Sequence, residues 1–311
     1  MRVVSRVLQA MLVMFGVTTV MFLLLRAVPG DPAAVIAGPD ATPATIAALR
    51  AQYHLNRPLV VQYGDWISSV VTGHLGTSIT YHVPVATLIG QNVQPTLQLL
   101  VAAVVIGVFL GVFLGVLAAT HRRRPADLAV NGFTAATLGM PAFWVGLVLL
   151  LVFAVDLHWV PSGGYTSVFT DPVAGLRTLA LPAVTLGAGV AAIQARFVRG
   201  AMIVALTGDY VRTARAKGAS ERTVVWKHAL RNALVPLVTI TGIQIGTLLG
   251  GVVVIEAVFA RPGLGSLIAT GIANRDYPVV EGVTLVLVAA FSAVNLIVDL
   301  VYGIVDPRIR R

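Results

Sequence analysis

Few residues in this chain have the type and spacing to do chemistry. Its six histidines, His54, His74, His82, His121, His158 and His228, are scattered over 311 residues, and only folding could gather them. His74 and His82 share one polar stretch and could meet at a metal, but a surface role suits them better, so no metal site is expected. There is no cysteine, which excludes disulfides, thiolate metal ligands and thiol nucleophiles. No GxxxxGK[ST] phosphate loop is present, so this chain is not expected to hydrolyse ATP alone and is not expected to be an enzyme. Spacing does not exclude a Ser-His-Asp set, yet nothing marks a nucleophile. Two groups of residues remain. One is a handful of polar side chains inside long apolar runs; the other is a strongly basic segment, "YVRTARAKGASERTVVWKHALRNALVP", Tyr210 to Pro236.

The elements that must position them follow from composition. The chain is 57% hydrophobic and only 11% charged, with mean hydropathy +0.87. Soluble domains carry about 25% charged residues, so this sequence cannot cover a soluble core and reads as an integral membrane protein. The +9 net charge then speaks first of topology, and no nucleic acid is expected. Val7 to Leu25 exceeds a signal-peptide core and ends in a poor cleavage context, which makes it a retained span. Five further runs reach the length needed to cross about 30 Å of hydrocarbon: roughly 95–119, 131–155, 179–198, 232–258 and 282–304. The expected organisation is a first span in 1–28, an outer segment in 29–94, and a core of five spans in 95–311 that includes a cytoplasmic loop at 200–231.

Charge selects the side. Sixteen of the 22 lysines and arginines fall on one face of a six-span arrangement, in the N-terminus, Arg122–Arg124, the stretch from Arg196 to Arg231, and the C-terminal Arg308, Arg310 and Arg311. The positive-inside rule makes that face cytoplasmic and puts both termini there. In the outer segment, Thr42-Pro43 predicts a capped helix carrying Ile46, Leu49 and Tyr53. A second helix after Pro58 aligns Leu59, Tyr63, Trp66 or Ile67, and Val70, with Tyr63 and Trp66 expected at headgroup depth. Glycines recur four apart in the spans: Gly107, Gly111 and Gly115, then Gly242, Gly246 and Gly250. They favour close helix packing or contact with a second membrane subunit.

Intramembrane polar groups are costly and become candidate functional residues. Glu256, in "GGVVVIEAVF", is the sharpest, as a pathway residue or as a structural partner of Arg261 or Arg275. Gln194, Gln244, Asn295 and Asp299 are weaker candidates for a pathway lining.

The basic segment has a shape as well as a charge. Asp209 is expected to cap a helix of Tyr210 to Lys217, Gly218 to end it, and Ser220 to cap a second helix with Glu221 in its first turn. Arg212, Arg215 and Lys217 flank the small residues Thr213, Ala214 and Ala216, as in a helix that seats in a groove. A DNA-reading helix-turn-helix is disfavoured because both helices are pinned to the bilayer. A basic loop against anionic lipid and a docking element for a cytoplasmic protein remain open.

The segment resembles the cytoplasmic loop of ABC importer permeases, whose pattern is Glu-Ala-Ala, three residues, and Gly. Aligned on Gly218, those first positions are Arg212, Thr213 and Ala214; downstream, His228, Leu230 and Arg231 stand at the Ile-x-Leu-Pro positions. This version is similar to that of dipeptide and oligopeptide permeases, which read like "YVRTARAKG" and "HALRNAL". "LLRAVPGDPA", "LNRPLVVQYGDW", "HLGTSITYHVPV", "PAFWVGLVLLLVFAV", "WVPSGGY", "VFARPGLGSLI", "RDYPVVEG" and "VDPRIR" extend the likeness over nearly the whole chain. The resemblance implies an all-α, six-span type I importer permease in the bacterial inner membrane. It implies a second homologous permease as heterodimer partner, two cytoplasmic ATPases that bind the ATP and Mg, and an outside substrate-binding protein. It further implies that residues 209–221 couple the ATPases to a pathway for peptides, with nickel or another small solute as the alternative cargo. From residues alone, a secondary transporter or channel with a lipid-contacting loop also stays open.

Overall fold

The computed structural model describes residues 2–28, 31–38 and 40–305. Those residues are almost entirely helical, and their one β feature is an isolated antiparallel bridge between Thr77 and Pro84. The Asp299 side chain and Arg308, Arg310 and Arg311 lie outside the described residues. Two compact units form, one from Met1–Gln94 with Pro262–Ser292 and the other from Pro95–Arg261 with Ala293–Arg311.

In the first unit, α1 (Arg2–Ala27) is the first span. The outer segment folds as α2 (Pro32–Ala37), α3 (Pro43–Gln52) and α4 (Leu59–Val71), with the expected Thr42 cap accepting from the Thr45 amide at 3.2 Å. Tyr63 packs on α1. Its hydroxyl bonds Thr19 at 2.5 Å and its ring meets Phe22 edge-on at 5.0 Å, so the apolar face of α4 is used against α1. A short helix that the sequence reading did not anticipate, α13 (Leu264–Ala273), precedes α14 (Tyr277–Val305).

In the second unit, α5 (Val85–Thr120) meets α8 (Pro172–Leu206) along the predicted glycine row. A β-carbon on Gly107, Gly111 or Gly115 would collide with Val190, Gln194 or Val198 respectively, so the row matches α8 residues at the same four-residue period. Gly242 likewise fits Val298 within the chain, whereas Gly250 faces open space. The core is completed by Leu99, Ala103, Leu186, Val252, Ile255 and Phe259 from α5, α8 and α12 (Val235–Val258) with the residue that follows it.

The third expected span is not one straight helix. α6 (Pro125–Gly139) and α7 (Ala142–Leu149, continuing as a π-helix over Leu150–Asp156) meet at 107°. Pro141 explains the break: it cannot donate its amide and forces Met140 into the extended conformation found there. Five described helices are long and apolar enough to cross a membrane, or six where the bent pair is counted as one span.

Candidate functional site

The basic loop forms α9 (Asp209–Ala216), a turn, and α10 (Glu221–Thr223), which runs on as a π-helix over Val224–Ala229 into α11 (Leu230–Ala233). Gly218 has φ +81°, the left-handed conformation that the end of α9 demands. Its amide bonds Arg215 O at 2.9 Å while that of Ala219 bonds Ala214 O at 3.1 Å, which satisfies the last carbonyls of the helix. Ser220 caps α10 by accepting from the Thr223 amide.

Asp209 is a correction. Gly208, with extended backbone, occupies the cap position and offers no side chain; Asp209 is the first helical residue and sits 3.5 Å from Arg212. Ala214 is a second one. It is buried with Val211 against Val224, so one face of α9 is fastened to the following helix. Arg212, Thr213, Arg215, Ala216 and Lys217 remain exposed. Arg215 spans the turn to Glu221 in a two-pronged pair at 2.7 and 3.1 Å, and that guanidinium holds the Glu221 carboxyl below its ordinary value. The outcome is a short helix with a fixed angle, one buried edge and a cationic outer face.

Folding brings two of the membrane candidates together. Gln194 donates to Gln244 Oε1 at 3.0 Å and to Thr241 Oγ1 at 2.8 Å, and both glutamines are buried. Gln244, with Thr137, Thr185 and Thr247, supplies the polar lining of a cavity of about 220 Å³ beside the α6–α7 break. No charged residue lines that cavity. Glu256 lies elsewhere in the unit, fully buried and accepting from Thr96 Oγ1 at 2.6 Å. The buried Arg261 guanidinium lies over the Tyr165 ring at 4.8 Å. Burial pulls its pKa down, and the nearby Tyr165 and Glu256 oppose that pull. Glu256 is thus held by the buried Thr96 hydroxyl and lies near the charge of Arg261, whose Nη2 donates to Pro95 O at 3.5 Å. Asn295 is half-buried on α14.

Three polar nodes escaped the sequence reading. Asp127 receives Arg199 at 2.6 and 2.8 Å, Asn131 at 2.8 Å and the Arg123 amide at 2.9 Å, tying α6 to α8. Arg26 reaches Glu281 at 2.7 Å and Gln62 at 3.0 Å. Asp276 accepts from Ser78 Oγ and from the amides of Ile79 and Thr80, which organises the loop closed by the Thr77–Pro84 bridge. Asp127 just after Pro125 and Asp276 just before Tyr277-Pro278 are helix-start signals, but their partners are far off in sequence. Among the described residues no His, Asp or Glu cluster could hold a metal.

Comparison with known proteins fits this architecture. Residues 111–311 match the family described as binding-protein-dependent transport system inner membrane component, and residues 1–111 match its N-terminal companion. A probable peptide ABC transporter permease of Sinorhizobium fredii (y4tP) is 42% identical, the alignment covering 99% of this chain and 98% of that one. The glutathione transport system permease GsiC of Escherichia coli K12 is 41% identical over the same shares. The methionine transporter MetNI, solved in inward-facing conformations, aligns with TM-score 0.56 at 24% identity, covering 70% of this chain and 96% of that one. An amino acid ABC transporter crystallised with histidines aligns with TM-score 0.53 at 16% identity, over 70% of this chain and 94% of that one. Those two likenesses concern the fold, and it is that of ABC importer permeases. With family profiles meeting at residue 111 to span the chain, it belongs to the binding-protein-dependent transport system inner membrane components, as a multi-pass permease subunit.

Proposed function

We propose that this subunit forms half of a translocation pathway for di- or oligopeptides, including glutathione-like ones, and that cytoplasmic ATPases drive it through α9. The carrying observation is the construction of that helix. Val211 and Ala214 anchor it, Gly218 and the Arg215–Glu221 clasp set its angle, and its outer face offers cations and small side chains to a partner surface. In this reading the ATPases hold the ATP and Mg, α9 faces the cytoplasm with both termini, a homologous permease supplies the other half, and an outside binding protein delivers the cargo. The uncharged lining around Gln244 suits peptides of varied net charge, because amide and hydroxyl groups can bond a peptide backbone without selecting an ion.

Affinity purification from the native membrane, followed by mass spectrometry of the copurifying proteins and of the ligand on the binding protein, tests this. Recovery of two ATPases, a second permease and a peptide-loaded binding protein is the expected result. A nickel-loaded binding protein would overturn the peptide assignment while leaving the permease reading intact.

A further inference from the structure

A groove runs between the C-terminal half of α5 and the segment that begins with α10. Phe113, Leu117, Val225 and Trp226 form its apolar walls, with Glu221 and Arg222 as its charged lining, around a volume of about 280 Å³. It lies at the end of a longer feature. Leu97, Val101, Val105, Phe109 and Phe113 are all exposed, one every fourth residue of α5. At 1.5 Å per residue this stripe is roughly 24 Å long, most of the hydrocarbon thickness of a bilayer.

The charge at the groove has a sign. Glu221 is occupied by Arg215, whereas Arg222 makes no ion pair among the described residues. Thr120, a further lining residue, ends α5 and is followed at once by His121 and Arg122–Arg124. Trp226 is 48% exposed, with the apolar body and polar N–H suited to the boundary between chains and headgroups.

We propose that this groove binds an anionic phospholipid, with an acyl chain along the Phe109–Phe113 end of the stripe and the phosphate at Arg222. The order of chemistry, the apolar stripe of α5, then Trp226, then Arg222 on the facing segment, matches the order along one lipid. A helix from a second permease would cover the stripe but would leave Arg222 without a counter-charge unless it also carried a carboxylate. The inference rests on the reading that the loop is cytoplasmic, the side on which anionic headgroups attract basic segments.

The test places the photocrosslinker p-benzoylphenylalanine at position 226 of the complete importer, in nanodiscs of equal phosphatidylglycerol and phosphatidylcholine. Phosphatidylglycerol adducts should exceed phosphatidylcholine adducts by about fivefold, the effect of one basic residue near a lipid surface. In Arg222→Gln the ratio should fall to near one. Equal adducts with Arg222 in place, or adducts to an ATPase or to the second permease in place of lipid, overturn the proposal. Because the chain has no cysteine, Ser220→Cys and a membrane-impermeant maleimide, applied to intact cells and to inverted membrane vesicles, report independently which side the loop faces. Labelling only from outside would sink the orientation, while a headgroup preference that depends on Arg222 would still establish the site.

Discussion

Replacing Gly218 along the series asparagine, alanine, valine separates backbone conformation from every other property of the coupling loop. At φ +81° the position is left-handed, and a β-carbon there would meet nothing within 4 Å, so the whole penalty lies in the backbone. Asparagine tolerates this region, alanine loses about 1 kcal/mol, and β-branched valine about 2 kcal/mol. Because 1.4 kcal/mol is a factor of ten, alanine should leave roughly a fifth, and valine a few per cent, of the correctly angled α9 relative to glycine, if nothing else holds the turn. The Arg215–Glu221 clasp opposes that loss, so these are upper bounds on the defect. The assay is the importer in proteoliposomes, measuring uptake of the ligand that its binding protein retains, per ATP hydrolysed. Uptake per ATP should rank glycine, asparagine, alanine, valine, while thermal stability of the permease changes little where the turn relaxes locally out of the left-handed region. Normal coupling by Gly218→Val, or an asparagine variant no better than valine, would refute the link between this dihedral and coupling.

Other expectations follow from the same geometry. Gly111→Val should destabilise the second unit by about 1–3 kcal/mol, since its side chain would overlap Gln194 and the Ala191 carbonyl, whereas Gly250→Ala, facing open space, should be silent in a thermal-melt comparison. Asp127→Ala should cost about 2–3 kcal/mol, toward or below the lower end of the range for buried pairs because the Arg199 side chain is 27% exposed and can turn to water; denaturation in detergent measures it, and no loss would deny the node a structural role. Glu221 has a folded-state pKa below its ordinary value of 4.5, so its contribution is fully present above that value and lost as pH falls through the lower, folded one. Hydrogen exchange of the 215–221 turn should therefore be insensitive to protonation between pH 6 and 8 once corrected for intrinsic rate, and opening near pH 6 would contradict the clasp. Gln244→Leu should lower uptake while leaving ligand affinity of the binding protein unchanged, and equal uptake would remove Gln244 from the pathway.

Much of the architecture was legible before folding. A span is a local property: about 20 apolar residues in a row need no partner to declare themselves. The caps at Thr42 and Ser220 and the left-handed Gly218 were equally readable, because a cap bond closes within three residues. The Asp209 cap was misplaced by one residue because an extended glycine can occupy the same position without a side-chain signature. The bend at Pro141 was written in the sequence, yet a hydropathy run across it suggests one continuous span.

The sequence alone therefore determined that this is a multi-span membrane protein with a shaped, basic loop, since each of those features rests on residues close together in the chain. Tertiary structure alone decided which polar groups meet. Gln194 and Gln244 are 50 positions apart, Asp127 and Arg199 are 72 apart, and Arg26 and Glu281 are 255 apart. Their pairing follows from helix packing within each unit, and no local pattern encodes such a distance. The groove at Arg222 is of the same kind, because its apolar wall and its cation come from helices a hundred residues apart that only the folded chain sets side by side.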